Sequence, residues 1–71
     1  MPSKAKVTAS MEWKGQRLLC NGRRVADIGR YPAGDWWASA DDFFRGFDTA
    51  VAARRYVNRR FKLPVSFGEP E

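Results

Sequence analysis

Residues 47–63 read FDTAVAARRYVNRRFKL, and this stretch predicts the one α-helix of the chain. Asp48 is suited to cap the N-terminus by accepting hydrogen bonds from N–H groups of the first turn, and Pro64 prevents continuation of the helix. At 100° per residue one stripe is apolar, comprising Ala50, Ala53, Val57 and Phe61, and the opposite side is polar, comprising Arg54, Arg55, Asn58, Arg59 and Lys62. We therefore expect an amphipathic helix that packs its apolar side on a sheet.

A β-hairpin is expected before the helix. Residues 11–20 and 23–30 are separated by Asn21-Gly22, which supplies the two positive φ angles of a type I′ turn. Strict pairing through this turn sets Leu18 opposite Val25 and Arg17 opposite Ala26, unless a bulge near one of the glycines changes the register.

Residues 36–40 have the aromatic content and the flanking breakers of a third strand. The predicted fold is α+β: a three-stranded antiparallel sheet packed against one C-terminal helix, in the order β-β-β-α, with flexible termini. We expect a flexible basic arm over residues 1–10, a single small domain over residues 11–63 and an irregular C-terminal tail over residues 64–71. A chain of 71 residues suffices for one small core.

Charge is segregated along the chain. The 13 Lys and Arg against 8 Asp and Glu give a formal net charge of +5, divided as +5 over residues 1–30, −3 over residues 31–48 and +3 over residues 49–71. The basic blocks predict attraction to a polyanion. The alternative explanation of the helix arginines is a solvated face whose cations complement the helix dipole.

Catalytic residue patterns are sparse. The chain has no His, its single Cys20 has no imidazole to activate it, and no Gly-rich phosphate loop or metal-ligand spacing occurs. We expect a non-enzymatic protein without cofactor, metal or small-molecule substrate.

No apolar run approaches the roughly 20 residues of a membrane span. No secretory signal is recognisable near the first residues. The expected location is intracellular, cytoplasmic or nucleoid-associated, and neither secretion nor a membrane partner is expected.

Three stretches resemble a known family in the same order. They are Trp13-Lys14-Gly15-Gln16-Arg17, then Gly22-Arg23-Arg24-Val25-Ala26-Asp27-Ile28, then Phe47-Asp48-Thr49-Ala50-Val51-Ala52-Ala53-Arg54-Arg55-Tyr56. Together they resemble the Apetala/ethylene-response-factor DNA-binding domain over roughly residues 13–61. Leu19, Asn21 and Gly29 stand where that family usually has Arg, Trp and Arg.

The resemblance implies three antiparallel strands on one helix, with the sheet entering the major groove of DNA. It also implies that Lys14 and Arg17 contact DNA from the first strand. Asp27 on the second strand would contact DNA or act as an orienting acid, and Trp37 would contact DNA from the third strand.

The favoured hypothesis is a small DNA-binding module that uses basic hairpin and helix residues. Its candidate nucleic-acid-binding residues are Lys14, Arg17, Arg23, Arg24, Trp37, Arg55, Arg59 and Lys62. The Trp36-Trp37 pair is expected to send one ring inward and one outward, where it could stack on a base.

The alternative is a small accessory or inhibitor protein, of a mobile-element or phage type, that binds a host protein through its acidic and aromatic segment over residues 35–48. Its candidate contacts are Asp41, Asp42, Phe43 and Phe44. Self-association through an uncovered sheet edge or face is a third possibility.

Overall fold

The structure, a computed structural model, describes residues 10–69. An antiparallel five-stranded sheet, with its strands in chain order, carries one C-terminal helix. The elements are β1 (Met11–Lys14), β2 (Arg17–Cys20), β3 (Arg23–Arg30), β4 (Trp36–Ala40), β5 (Phe43–Phe47) and α1 (Ala50–Arg60). The prediction of three strands is wrong, although the α+β class and the C-terminal helix are correct.

One additional strand arises because residues 11–20 form two strands. Gly15 has a φ of 63°, and Lys14 pairs with Arg17 across the two-residue loop Gly15-Gln16. Glycine at the first loop position is typical of a type II′ hairpin turn. The chain therefore reverses at Gly15, where the sequence had suggested only a bulge.

The other additional strand is β5. It pairs with β4 from Ala40 opposite Phe43 to Trp36 opposite Phe47, and Asp41-Asp42 forms the turn between them. Strand β4 has the predicted bounds. The second half of this hairpin escapes prediction because its turn contains neither Gly nor Asn, the usual residues of tight hairpins.

The hairpin through Asn21-Gly22 is confirmed, with φ angles of 54° and 82° at the two turn residues. The strict register is wrong. An irregularity between Leu18 and Leu19 shifts the pairing by one residue, so that Leu18 lies opposite Ala26 and Arg17 opposite Asp27. Because a shift of one residue exchanges the faces of a strand, Ala26 enters the core and Asp27 lies on the other face.

Helix α1 packs on β3, β4 and β5, on one face of the sheet. Ala53 and Val57 of the predicted stripe are fully buried there, and the core also contains Leu18, Ala26, Ile28 and Ala38. Trp36 packs against this core, whereas Trp37 lies on the opposite face of β4, as expected from strand alternation.

The ends of the helix differ from the prediction. Thr49, not Asp48, is the N-cap: its backbone is extended and its hydroxyl accepts a hydrogen bond from the Ala52 N–H at 3.1 Å. After the C-cap Phe61, Lys62 has a φ of 60°, and the Leu63 N–H donates to the Asn58 carbonyl at 2.8 Å. This is the Schellman arrangement, in which glycine usually occupies the left-handed position.

Asn58 was expected on the solvent-facing side of the helix, and that expectation is wrong because the side chain is completely buried. Its Oδ1 accepts from Trp13 Nε1 at 2.9 Å, and its Nδ2 donates to the carbonyls of Val65 and Phe67 at 2.8 and 3.1 Å. One amide thus joins β1, the helix and the residues after it. Residues 65–68 form turns, and Gly68 lies against the Trp13 ring. Residues 1–9 of the predicted basic arm, with Lys4 and Lys6, lie outside the described residues.

Candidate nucleic-acid interface

The sheet face away from the helix carries a row of side chains that crosses all five strands. Lys14, Arg17, Asp27, Ser39 and Phe44 are successive register partners from β1 to β5. Paired residues share a face, and their chain neighbours Leu18, Ala26 and Ala38 face the core. The row therefore lies on the face that α1 does not cover, which we call the open face.

Cations dominate the β1–β2 end of the open face. Lys14 and Arg17 are exposed cross-strand neighbours, and neither forms an ion pair within residues 10–69. Arg24 is also on this face, because it pairs with Leu19, and its Nη1 donates to Asp27 Oδ2 at 3.0 Å. With Glu12 opposite Leu19, the open face holds three cations and two acids.

Aromatic rings occupy the β4–β5 end of the open face. The Trp37 and Phe44 rings are nearly parallel, at 14° with centroids 5.9 Å apart, and Phe44 is 63% exposed. The Trp37 indole lies over Gly29, where an added Cβ would come within 2.1 Å of the ring. Glycine on β3 is thus required for the indole to lie across the strand, next to the exposed phenyl ring.

The remaining hairpin candidate, Arg23, is exposed beside the Asn21-Gly22 turn and is the register partner of Cys20. It borders a shallow depression lined by Cys20, Asn21, Arg24, Val25 and Asp41. Cys20 is two residues beyond the buried Leu18 on β2 and therefore shares its side of the sheet. Arg23 thus lies on the helix side of the sheet, next to the turn, and not on the open face.

The helix candidates lie on the other side of the molecule. Arg55 makes two hydrogen bonds to Glu69, at 2.9 and 3.2 Å. The hydrogen bond from Arg55 is the main reason that the pKa of Glu69 is lowered from its ordinary value, and the same bond raises the pKa of Arg55. Arg59 and Lys62 are exposed without a carboxylate partner in the described part of the chain.

The eight predicted nucleic-acid contacts therefore form two groups separated by the sheet. Lys14, Arg17, Arg24 and Trp37 share the open face, whereas Arg23, Arg55, Arg59 and Lys62 belong to the helix side. Among the described residues three arginines are ion-paired, namely Arg24, Arg55 and Arg60, the last with Asp42. One flat ligand cannot contact both groups at once.

The residues of the alternative protein-binding segment also separate. Phe43 packs edge-on against Tyr56 of the helix, with centroids 5.1 Å apart, and is therefore not an exposed anchor. Asp42 is exposed but paired with Arg60, Asp41 is exposed in the turn, and Phe44 lies on the open face. Three of the four are therefore exposed, and of these Asp42 is the one held in an ion pair within the described residues.

Sequence reasoning missed two placements: Phe44 next to Trp37, and Asp27 in the middle of the row that crosses the open face. Both depend on pairings that follow from the β4–β5 turn and from the irregularity at Leu18. The available signal was Asp41-Asp42 between two aromatic runs of strand length, which is consistent with a hairpin.

No protein-family model, no curated protein and no solved structure matches this chain. In the described residues, no helix has the length and apolar character needed to cross a membrane.

Proposed function

We propose that the protein is a small, non-enzymatic nucleic-acid-binding module, with DNA as the favoured ligand, and that it binds through its open face. The observation that carries this proposal is the pairing of Lys14 with Arg17 on the face that the helix leaves uncovered. Side chains of directly paired residues lie about 5 Å apart. Two adjacent cations of this kind can replace the counterions of neighbouring phosphates.

Two further features support the proposal. Trp37 and Phe44 supply an aromatic surface on the same face, and Arg24 adds a third basic side chain to it. The resemblance to the Apetala/ethylene-response-factor domain favours the same face, because Lys14, Arg17, Asp27 and Trp37 are the positions that it implies. A location in the cytoplasm or on the nucleoid is consistent with binding of this class of ligand.

The decisive comparison uses two double variants with equal loss of charge. Lys14→Ala/Arg17→Ala removes the open-face pair, and Arg59→Ala/Lys62→Ala removes two exposed cations of the helix side. Affinity for DNA is measured by fluorescence anisotropy over a range of salt concentrations. We expect the open-face variant to bind at least tenfold more weakly and with a shallower salt dependence, since each lost phosphate contact lowers the slope by about 0.7 to 0.9.

The helix-side variant is expected to bind like the parent protein. If it loses as much affinity as the open-face variant, binding follows net charge alone and the assignment of the face is wrong. If the parent protein binds no DNA at low salt, the proposed function itself is wrong.

A second candidate function is binding of a basic protein through the β4–β5 hairpin. Phe44 is 63% exposed on an edge strand, and Asp41 lies exposed in the adjacent turn. An apolar anchor beside an acid at an open strand edge suits a partner that adds a strand to the sheet. A partner retained by Lys14→Ala/Arg17→Ala but lost by Asp41→Lys/Phe44→Ser would favour this function over the first.

A further inference from the structure

Building on the proposed function, we infer that the preferred ligand is a single strand of nucleic acid, with one unpaired base stacked on the Trp37–Phe44 rings and its phosphates near Lys14 and Arg17. The proposal deepens the assignment of the open face by naming the form of nucleic acid. It rests on three observations: the width of the sheet, the separation of cations from aromatic rings, and the exposure of Phe44.

The width of the sheet argues against insertion into duplex DNA. Adjacent strands lie about 4.8 Å apart, so the four intervals from β1 to β5 span about 19 Å. The major groove is about 12 Å wide and admits a helix or a two-stranded ribbon. Lys14 on β1 and Phe44 on β5 therefore cannot enter one groove together.

A single strand is not subject to this limit, because its bases are free to turn away from one another. Its backbone can follow the cationic β1–β2 end while a base lies on the aromatic β4–β5 end. Sheets that bind single strands elsewhere use exposed aromatic rings in this way, and stacking tolerates any base because every base has a π face.

The charges along the row are compatible with phosphates at the β1–β2 end and a base at the β4–β5 end. Asp27 lies between Arg17 and Ser39 in the row, and its Oδ2 is occupied by Arg24. A carboxylate in mid-row repels phosphate, so the backbone is favoured at the β1–β2 end and the base at the β4–β5 end. A single strand can place its phosphates at the β1–β2 end and an unpaired base at the β4–β5 end. The outside of a duplex offers no unpaired base for this arrangement.

Anisotropy titrations with three DNA ligands of the same length test the inference: a mixed-sequence single strand, a strand of abasic sites, and the blunt duplex. We expect the single strand to bind tightest, because only it offers both phosphates and unpaired bases. Phe44→Ala is expected to weaken binding of the single strand by about fivefold to a hundredfold, the range for loss of one stacked base. The same variant should leave binding of the abasic strand unchanged.

Three controls isolate stacking from hydrophobicity and from folding. Phe44→Tyr retains a ring and should bind like the parent, whereas Phe44→Leu retains apolar area without a π face and should bind like Phe44→Ala. Val51→Ala alters an exposed apolar residue of the helix and should change nothing.

The outcomes distinguish this inference from the proposed function. Tighter binding of the duplex, with Lys14→Ala/Arg17→Ala still harmful, overturns the single-strand inference and keeps the nucleic-acid function. Equal binding by Phe44→Ala and the parent also overturns the inference. Absence of binding to all three ligands at low salt overturns both.

Discussion

Asn58 is the buried polar side chain that connects the helix to both ends of the described fold. All of its three observed hydrogen bonds run to other parts of the chain: to the Trp13 indole and to the carbonyls of Val65 and Phe67. A buried amide is favourable only when its partners are present, because each unsatisfied group costs about 1–3 kcal/mol. The amide therefore specifies where the residues after the helix lie.

Substitution of Asn58 by Ala leaves the Trp13 N–H and two carbonyls without these partners. We expect the free energy of unfolding to fall by about 3 kcal/mol, measured by urea denaturation. The adjacent Arg59→Ala is the matched control, since Arg59 is exposed and its loss should cost less than about 0.5 kcal/mol. Similar stability of the two variants would contradict the role assigned to Asn58.

Lys62 is a non-glycine residue in the left-handed conformation at the end of the helix. This conformation costs a non-glycine residue about 1 kcal/mol. Glycine avoids that strain, but part of the gain is offset because glycine loses more conformational freedom on folding. We expect Lys62→Gly to raise the free energy of unfolding by about 0.5 kcal/mol, visible as a higher Tm. A lower Tm would mean that the Lys62 side chain makes a contact more valuable than the strain.

The segment after the helix is held by a titratable pair as well as by Asn58. Glu69 is hydrogen-bonded to Arg55, and its pKa is lowered from the ordinary value of 4.5 for this reason. A lowered pKa in the folded state stabilises the fold above the unfolded pKa and loses its effect as the pH falls through the folded pKa. The contribution should therefore be present at neutral pH and disappear below pH 4.5.

The measurement compares the Tm of the parent with that of Glu69→Gln from pH 7 down to pH 3. We expect the parent to have the higher Tm at pH 7 and the difference to close as the pH falls below 4.5. A difference that persists unchanged to pH 3 would show that the carboxylate does not act through its charge.

The elements near strong local signals were predictable from the sequence, and those set by pairing over distance were not. Asn21-Gly22 predicts its hairpin because few residues tolerate the two positive φ angles of the turn. The spacing of apolar residues predicts the buried face of the helix. Asp41-Asp42 carries no such signal, so β5 was missed. Asn58 was misplaced because its partners Trp13, Val65 and Phe67 lie in segments whose positions helical periodicity does not encode.

The residues of the candidate site were predictable from the sequence, but their division between the two sides of the sheet was not. Charge on the hairpin points to Arg17 and Arg24, and the family resemblance adds Lys14 and Trp37; these four residues share one face. Sequence could not separate them from Arg55, Arg59 and Lys62, because that division depends on which sheet face the helix covers. Phe44 could join Trp37 only once the β4–β5 pairing was known.

The molecule as a whole presents two basic surfaces that face in opposite directions, and one of them, the open face, also contains the acids Glu12 and Asp27. Asp27 occupies the middle of the open-face row and neutralises Arg24 through the ion pair at 3.0 Å. Its removal should make the open face more attractive to a polyanion.

We expect Asp27→Asn to bind single-stranded DNA several-fold more tightly at low salt, with the gain shrinking as salt rises. The charge-matched control is Asp48→Asn, because Asp48 is exposed between β5 and the helix and outside the row. Anisotropy titration of both variants measures the effect. An equal gain in the two would show that total charge governs binding and that the open face is not special.

The most direct test of the open face is a map of the bound ligand by nuclear magnetic resonance. Amide and indole signals of the isotope-labelled protein are followed while single-stranded DNA is added. The account predicts shifts at Lys14, Arg17 and Phe44 and at the Trp37 indole, with Arg55, Arg59 and Val51 unchanged. Shifts concentrated on the helix, with the open-face signals unmoved, would contradict it.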